Sequence, residues 1–278
     1  MRFLAIETSG ARGSLALFEG GRCLDEMTFP EGLVQSREIA SGILELSSRK
    51  GVKIPHLEGI AVGQGPGSYT GSRVGVTAAK TLGFALKIPV VAVSSLEVLA
   101  RGAVERARLG AADREAPITL APILDGRRGF FYGAAFACSP PSAAAEGIAL
   151  RRSAPDRVGR PADIRELLAP GTWLLGDGAD PFLEALGGDP FRETLGRTPR
   201  ECDLPSARAL GEIAATLFAD RPFDEEALHR LEPAYLRPSE PEILLDERRR
   251  REAARGTQGS EDSSSSDRSA GVSGKSER

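Results

Sequence analysis

The sequence is poor in the residues that build metal and redox sites. Its three cysteines, Cys23, Cys138 and Cys202, are far apart and form no CxxC motif, which argues against a disulfide framework and a zinc site. The two histidines, His56 and His229, are isolated, and a Ser/His/Asp triad would need one of them. No HxxxH, HExxH or GxSxG motif occurs. We therefore expect neither a catalytic centre nor a metal site in this chain alone.

Long apolar runs and an excess of basic charge are also lacking. No run approaches the length of a membrane span, and the features of a signal peptide are missing from MRFLAIETSG. The 278 residues include 36 Lys and Arg against 39 Asp and Glu, a net charge of −3. Nucleic-acid binding depends mainly on Lys and Arg side chains that neutralise phosphates, so this chain is not expected to bind nucleic acid by itself. We expect a cytoplasmic protein.

The most distinctive stretch is rich in glycine and runs from Gly63 to Leu86, GQGPGSYTGSRVGVTAAKTLGFAL. It begins as a tight turn after an apolar run and continues as an amphipathic helix. Glycine inside a helix costs roughly 1 kcal/mol relative to alanine, so repeated glycines indicate close approach of another backbone. Small residues recur at every fourth position on one face of this helix: Gly71, Gly75, Ala79 and Gly83.

Two interpretations of this small-residue ladder remain open from the residues alone. In the first, the helix lies tightly on its own sheet. In the second, which we favour, Val74, Val76 and Leu82 face the sheet while the ladder packs against a partner, beside a helix over residues 34–49. The predicted partner interface comprises Ser36, Ile39, Ala40, Ile43, Gly71, Gly75, Ala79 and Gly83.

The turns that precede the ladder helix and follow the first strand form a candidate phosphate site. A glycine turn at a helix N-terminus presents backbone N–H groups that favour an anion. It is neither a P-loop nor a GxGxxG fingerprint, and a simple entry turn with Thr70 as the helix cap is the alternative that we favour. The candidate residues are Glu7, Thr8, Ser9, Gly65, Pro66, Gly67 and Ser68.

The order of the predicted elements indicates the fold class. The first hundred or so residues are predicted to form β-β-β-α-β-α-β-α, the order of the ribonuclease-H-like unit in actin-type ATPases and sugar kinases. We predict an α/β, actin-like (ASKHA) fold of two ribonuclease-H-like lobes, the second reduced. The predicted domains are an N-terminal lobe at residues 1–106, a smaller lobe at 107–238 and a disordered Ser/Gly-rich tail at 239–278.

Four segments together resemble one family. The run GPGSYTGSRVG at residues 65–75 is joined by IETS at 6–9, DGRRG at 125–129 and PAYLR at 233–237. These segments are similar to the bacterial TsaB (YeaZ) family, which is glycoprotease-like (Gcp) and belongs to the ASKHA superfamily. The resemblance implies a non-catalytic subunit in the formation of N6-threonylcarbamoyladenosine (t6A) at position 37 of tRNAs that read codons starting with A.

The resemblance also implies partners and cofactors. In the family, the paralogue TsaD holds the metal and transfers the threonylcarbamoyl group to tRNA, and the ATPase TsaE joins the pair. TsaB proteins alone form homodimers through the same helical face. ATP, Mg and the metal would then belong to the partner subunits, with at most weak nucleotide binding by this chain. Contact with tRNA would be indirect, through the complex, and no membrane is involved.

Two positions separate this chain from the metal-bearing paralogue. That paralogue has an N-H-x-x-x-H ligand motif after a valine-rich strand, and the corresponding ligand positions here hold Ser95 and Leu99. A serine is a weak metal ligand and a leucine is none, so the comparison indicates the partner-type member. The family's frequent His-Ser pair early in the first long helix is Gln35-Ser36 here, which further weakens a catalytic role at that position.

The main alternative function is a self-sufficient ASKHA-type ATPase or phosphotransferase. It would use the Glu7 turn and the turn at Gly65–Ser68, and it would bind Mg-ATP as an isolated protein. A metal-dependent protease is a more distant alternative because its ligands are missing.

Overall fold

Two five-stranded sheets organise the chain. The computed structural model describes residues 1–31, 35–106, 117–139, 149–219 and 221–237, without the side chains of Gln35 and Ser36. The tail predicted at 239–278 lies outside these residues. Met1–Leu236 pack as one unit, and the description below concerns that unit.

The first sheet has the strand order β3–β2–β1–β4–β5. Strand β2 is antiparallel to both β1 and β3, whereas β4 is parallel to β1 and β5 is parallel to β4. Alternate residues of β1 enter different cores, with Phe3 and Ala5 on one face and Leu4 and Ile6 on the other. The strands are β1 (Arg2–Glu7), β2 (Ser14–Glu19), β3 (Arg22–Thr28), β4 (Gly59–Gly63) and β5 (Val90–Val93).

The second sheet has the order β10–β9–β6–β7–β8. Strand β6 pairs antiparallel with β7 and parallel with β9, and β8 forms an edge. Strand β8 runs past Pro155 to Gly159, and an edge strand tolerates this proline because one row of its N–H groups needs no partner. The strands are β6 (Ile118–Asp125), β7 (Phe131–Ser139), β8 (Ala149–Gly159), β9 (Trp173–Leu175) and β10 (Gly196–Arg197).

Helices cover both faces of the first sheet. The α-helices are α1 (Gln35–Arg49), α2 (Tyr69–Leu86), α3 (Ser95–Arg106), α4 (Pro161–Arg165), α5 (Ala179–Ala185), α6 (Ala207–Ala214) and α7 (Glu225–Arg230). Helices α1 and α2 pack on the face that carries Leu4 and Ile6, and α3 joins the core of the second sheet through Leu96 and Leu99. No helix in the described ranges is long and apolar enough to cross a membrane.

Helix α6 returns the chain to the first sheet. Its Leu210 packs in one core with Phe3 and Phe18, and the Phe218 ring lies 4.9 Å from that of Phe3. The sequence had assigned this helix to the second lobe. The predicted α/β class is confirmed, and the predicted helices at 34–49 and 71–86 are found within two residues of their expected limits. The lobe boundary at residue 106 stays a prediction.

Candidate functional site

The small-residue ladder of α2 faces the chain's own sheet. A Cβ atom on Gly71 would overlap the carbonyl oxygen of Thr8, and one on Gly75 would overlap the Thr8 hydroxyl, each well inside 3.0 Å. A Cβ atom on Gly83 would overlap the side chain of Val90 in the same way. Our expectation that the ladder packs against a partner is therefore wrong. The glycines instead let α2 lie directly on strands of the first sheet.

Most of the other predicted interface residues are buried in the chain itself. Ala79 is fully buried, and Ile39 and Ile43 of α1 belong to the same core. Ala40 is exposed, whereas the side chain of Ser36 lies outside the described part of the chain. The predicted set thus marks the inner side of the α1–α2 layer, because helical spacing groups residues on a face without saying which neighbour that face meets.

The other side of α1 and α2 forms an exposed surface of small and apolar residues. Leu44 is 61% exposed and lies one helical turn after Ala40, while Phe84 of the adjacent helix is 45% exposed. Exposed apolar side chains on neighbouring helices are the kind of surface that a partner protein covers. We call this surface the outward face and define it by Ala40, Leu44, Thr77, Thr81 and Phe84.

The C-terminal segment at residues 224–237 runs along the flank of α2. Lys80 Nζ donates to the carbonyl oxygen of His229 at 2.8 Å, and the Tyr235 ring lies 5.2 Å from that of Tyr69 at the first turn of α2. The PAYLR run that contributed to the family resemblance therefore contacts the start of the ladder helix. This segment leaves the outward face as the accessible side of α2.

The polar turns meet at one edge of the first sheet, around the carboxyl group of Glu7. Because β1 and β4 are parallel neighbours, the turns that follow them lie side by side. Glu7 is fully buried and accepts hydrogen bonds from the Ser9 N–H at 2.7 Å and the Ser95 hydroxyl at 3.2 Å. The Ser95 oxygen in turn accepts from the Gly65 N–H at 3.2 Å. The structure thus brings the two parts of the candidate phosphate turn together.

Several backbone donors of this turn are engaged within the chain. The Ser68 N–H donates to the Ser9 carbonyl at 2.7 Å, and the Gly71 N–H donates to Ser68 Oγ at 3.1 Å. Ser68, and not Thr70, is therefore the cap of α2. The Thr8 hydroxyl donates to the Gly71 carbonyl at 2.7 Å. These bonds favour a structural role for the turn, and phosphate binding there stays a prediction.

Burial raises the pKa of Glu7 above its ordinary value of 4.5, although hydrogen bonds from Ser9 and Ser95 act in the opposite direction. The folded chain therefore holds the Glu7 proton more tightly than the unfolded chain does. The resulting stabilisation is fully present below pH 4.5 and is lost as the pH rises through the raised pKa.

We expect Glu7→Gln to change how stability depends on pH. The glutamine side chain has the same shape but cannot ionise, so the variant should gain free energy of unfolding relative to the wild type as the pH rises above 4.5 through the raised pKa of Glu7. The gain should be roughly 1.4 kcal/mol for each unit by which folding raises the pKa. Urea unfolding at several pH values measures it, with Glu184→Gln on the surface as the matched control. Parallel curves for Glu7→Gln and wild type would contradict this account.

A polar network between α3 and β8 was not predicted. Ser94 Oγ donates to Asp156 at 2.6 Å, and Arg152 donates to Glu97 at 2.8 Å and also to Asp156. Ser94, which lies between β5 and α3, is 62 residues from Asp156, and Glu97 on α3 is 55 residues from Arg152, so no local spacing could have revealed the network. The network ties the residue before Ser95 to the second sheet.

The fold agrees with solved structures from Pseudomonas aeruginosa. An uncharacterized protein with similarity to peptidase YeaZ superimposes with a TM-score of 0.66 at 24% identity, covering 85% of this chain and 99% of that one. The YeaZ structure from the same organism gives the same TM-score at 23% identity, over 84% of this chain and 99% of that one. The chain therefore shares the fold of these two structures, and the actin-like (ASKHA) superfamily stays a prediction.

Sequence relatives point to one family. The family model described as "TsaD: tRNA N6-adenosine threonylcarbamoyltransferase" matches residues 35–140. The "tRNA threonylcarbamoyladenosine biosynthesis protein TsaB" of Bacillus subtilis is 37% identical over 132 residues, 48% of this chain and 53% of that protein. Over this part of its length the chain is similar to the TsaB (YeaZ) family. The TsaB of Haemophilus influenzae is 34% identical over 108 residues, 38% of this chain and 44% of that protein, so the matches span about half the length of these relatives.

The chain is also similar to transferases. The tRNA N6-adenosine threonylcarbamoyltransferase of Trichlorobacter lovleyi is 34% identical to this chain over 113 residues, 35% of this chain and 33% of that protein. At the two positions that we matched to metal ligands, this chain has Ser95, which donates a hydrogen bond to Glu7, and Leu99, which packs in the core of the second sheet. Within the described ranges, no group of three His, Cys, Asp or Glu side chains is placed to hold a metal ion.

Proposed function

We propose that this chain is a non-catalytic subunit of the machinery that forms t6A at position 37 of tRNAs reading codons that start with A. The observation that carries the proposal is the 37% identity to a protein named for tRNA threonylcarbamoyladenosine biosynthesis, together with the match to the transferase family model. In this role the chain binds and activates a TsaD-like paralogue, which performs the transfer. A TsaE-like ATPase joins the complex.

Ser95 and Leu99 stand at the positions matched to the paralogue's metal ligands, and their contacts support a non-catalytic role. Ser95 is fully buried, donates to Glu7 and accepts from Gly65, so its hydroxyl already serves to hold the glycine turn. Leu99 is 1% exposed and contributes only apolar surface. We therefore assign ATP, Mg and the metal to the partner subunits and expect this chain to require no cofactor of its own.

The outward face is the proposed partner surface. It replaces the buried ladder in that role, and it lies on the same two helices, α1 and α2, that the family resemblance implicated. The exposed Leu44 and Phe84 supply apolar area that burial would stabilise at roughly 25 cal/mol per Å². The same surface serves a homodimer when the paralogue is absent. The complex with the paralogue and the homodimer therefore compete for the same surface.

Reconstitution of t6A formation from purified components tests this function. We expect tRNA modification when the TsaD-like paralogue, the TsaE-like ATPase and this chain are combined, and a large loss when this chain is omitted. Mass spectrometry of the digested tRNA measures the product. Full modification without this chain would contradict the proposal.

A further inference from the structure

The hairpin between β6 and β7 turns through three successive residues with a left-handed backbone. Arg127, Arg128 and Gly129 have φ values of 65°, 54° and 73°. L-residues other than asparagine and aspartate seldom adopt this conformation, and tight hairpins normally place Asn-Gly or Gly there. The sequence instead places two arginines at the tip, although glycines flank them on both sides. Residue preference therefore does not explain the turn.

Specific contacts hold the two arginines in this conformation. The Arg127 N–H donates to Asp125 Oδ1 at 2.8 Å, which closes the first half of the turn. Arg160, which precedes α4, donates through its guanidinium to the carbonyl oxygen of Arg128 at 2.8 Å. The same guanidinium lies 4.0 Å from the centre of the Phe130 ring. A third arginine is thus fixed beside the two at the tip.

The three guanidinium groups lie at the surface of a locally basic region. The Arg127 side chain is 80% exposed, even with its guanidinium 3.3 Å from Asp125 Oδ2, and Arg128 and Arg160 are exposed residues. Residues 117–139 and 149–173 contain seven arginines and no lysine, against four acidic residues. The whole chain has a net charge of −3, so these two segments are more basic than the chain as a whole, although Arg157 and Arg165 are paired with Glu166 and Asp189. We call Arg127, Arg128 and Arg160 the arginine turn.

We propose that the arginine turn contacts the phosphate backbone of the tRNA substrate directly. The proposal rests on the proposed function, which supplies RNA as the polyanion that the complex must hold. Guanidinium groups bind phosphate oxygens through paired N–H donors, and a turn that is already fixed loses little freedom on binding. Contacts to phosphates carry no base recognition, so the arginine turn adds affinity and orientation and leaves the choice of tRNA to other groups.

The test measures tRNA binding by the complete complex. A fluorescently labelled tRNA transcript is titrated with the complex of the TsaD-like paralogue and the full-length chain, and anisotropy gives the Kd at several salt concentrations. The variant Arg127→Gln/Arg128→Gln removes two charges, and Arg22→Gln/Arg221→Gln removes two charges elsewhere as the matched control. We expect the turn variant to raise the Kd roughly tenfold and to lower the slope of log Kd against log salt by about 1 to 2.

The outcomes separate this proposal from the proposed function. An unchanged Kd and salt slope, or an equal loss in the control variant, would overturn the arginine turn as a tRNA contact. So would weakened association with the paralogue at unchanged tRNA affinity, because the turn would then bind an acidic protein surface. The t6A activity of the wild-type complex, measured on the same preparation, reports independently on the proposed function. Circular dichroism and thermal unfolding confirm that each variant is folded.

Discussion

Gly71→Ala should lower the free energy of unfolding by about 3 kcal/mol and the melting temperature by about 10 °C. The added Cβ atom would overlap the Thr8 carbonyl oxygen, which belongs to the backbone directly after β1 and cannot rotate away. The shift would also strain the hydrogen bond from the Thr8 hydroxyl to the Gly71 carbonyl. Alanine has a helix propensity about 1 kcal/mol better than glycine, which offsets only part of this cost. Urea and thermal unfolding measure the effect.

The matched control is Thr77→Ala on the same helix. Thr77 is exposed on the outward face, so its replacement should change the free energy of unfolding by less than about 0.5 kcal/mol. If Gly71→Ala were as stable as wild type, α2 would have to present its glycines away from the sheet. For the same steric reason Gly75→Leu is unsuited as an interface probe, because it should disrupt the fold before it reports on any partner.

Leu44→Glu should weaken binding to the TsaD-like paralogue by about 100-fold, equivalent to roughly 2.7 kcal/mol. Leu44 is 61% exposed and belongs to the outward face, so its burial in a complex would remove apolar area from water. A glutamate at that position would place an unpaired charge in the interface, which is costly to desolvate. Isothermal titration calorimetry with the purified paralogue gives the Kd. The same variant should favour the monomer of the isolated chain.

Leu217→Glu provides the control for charge introduction. Leu217 is 43% exposed and follows α6, away from α1 and α2, so this variant should bind the paralogue with wild-type affinity. Both variants replace exposed residues and should keep the melting temperature within a few degrees of wild type. If Leu44→Glu bound the paralogue with wild-type affinity, the outward face would be excluded as the partner surface. The chain would then have to bind its partner through another surface.

The ladder illustrates what spacing in the sequence can and cannot predict. A four-residue repeat placed Gly71, Gly75, Ala79 and Gly83 on one face of a helix, and the structure confirms both the helix and the shared face. The repeat does not tell which element packs against that face. Close packing against a partner helix and close packing against the chain's own strand both require small residues. Thr8, the residue that meets two of the glycines, is more than 60 residues away in the sequence.

Ser95 and the arginine turn show a second limit. The sequence marked Ser95 only as a position without a metal ligand. In the structure its hydroxyl joins Glu7, which is 88 residues away in the sequence, to Gly65, which is 30 residues away. The sequence marked the DGRRG run as part of the family resemblance, and its left-handed arginines were not predicted, because local preference argues against that conformation. In both cases the deciding partner comes from a distant part of the chain.

The most direct test of the central claim titrates this chain into a fixed amount of the TsaD-like paralogue, with the TsaE-like ATPase, tRNA and threonylcarbamoyl-adenylate present. The account predicts that t6A formation rises with added chain and saturates at stoichiometric binding. It also predicts that Leu44→Glu raises the Kd of activation about 100-fold, so that saturation needs an excess of the variant chain, and that this chain without the paralogue forms no t6A. A rate independent of this chain, or t6A formation by this chain alone, would contradict it.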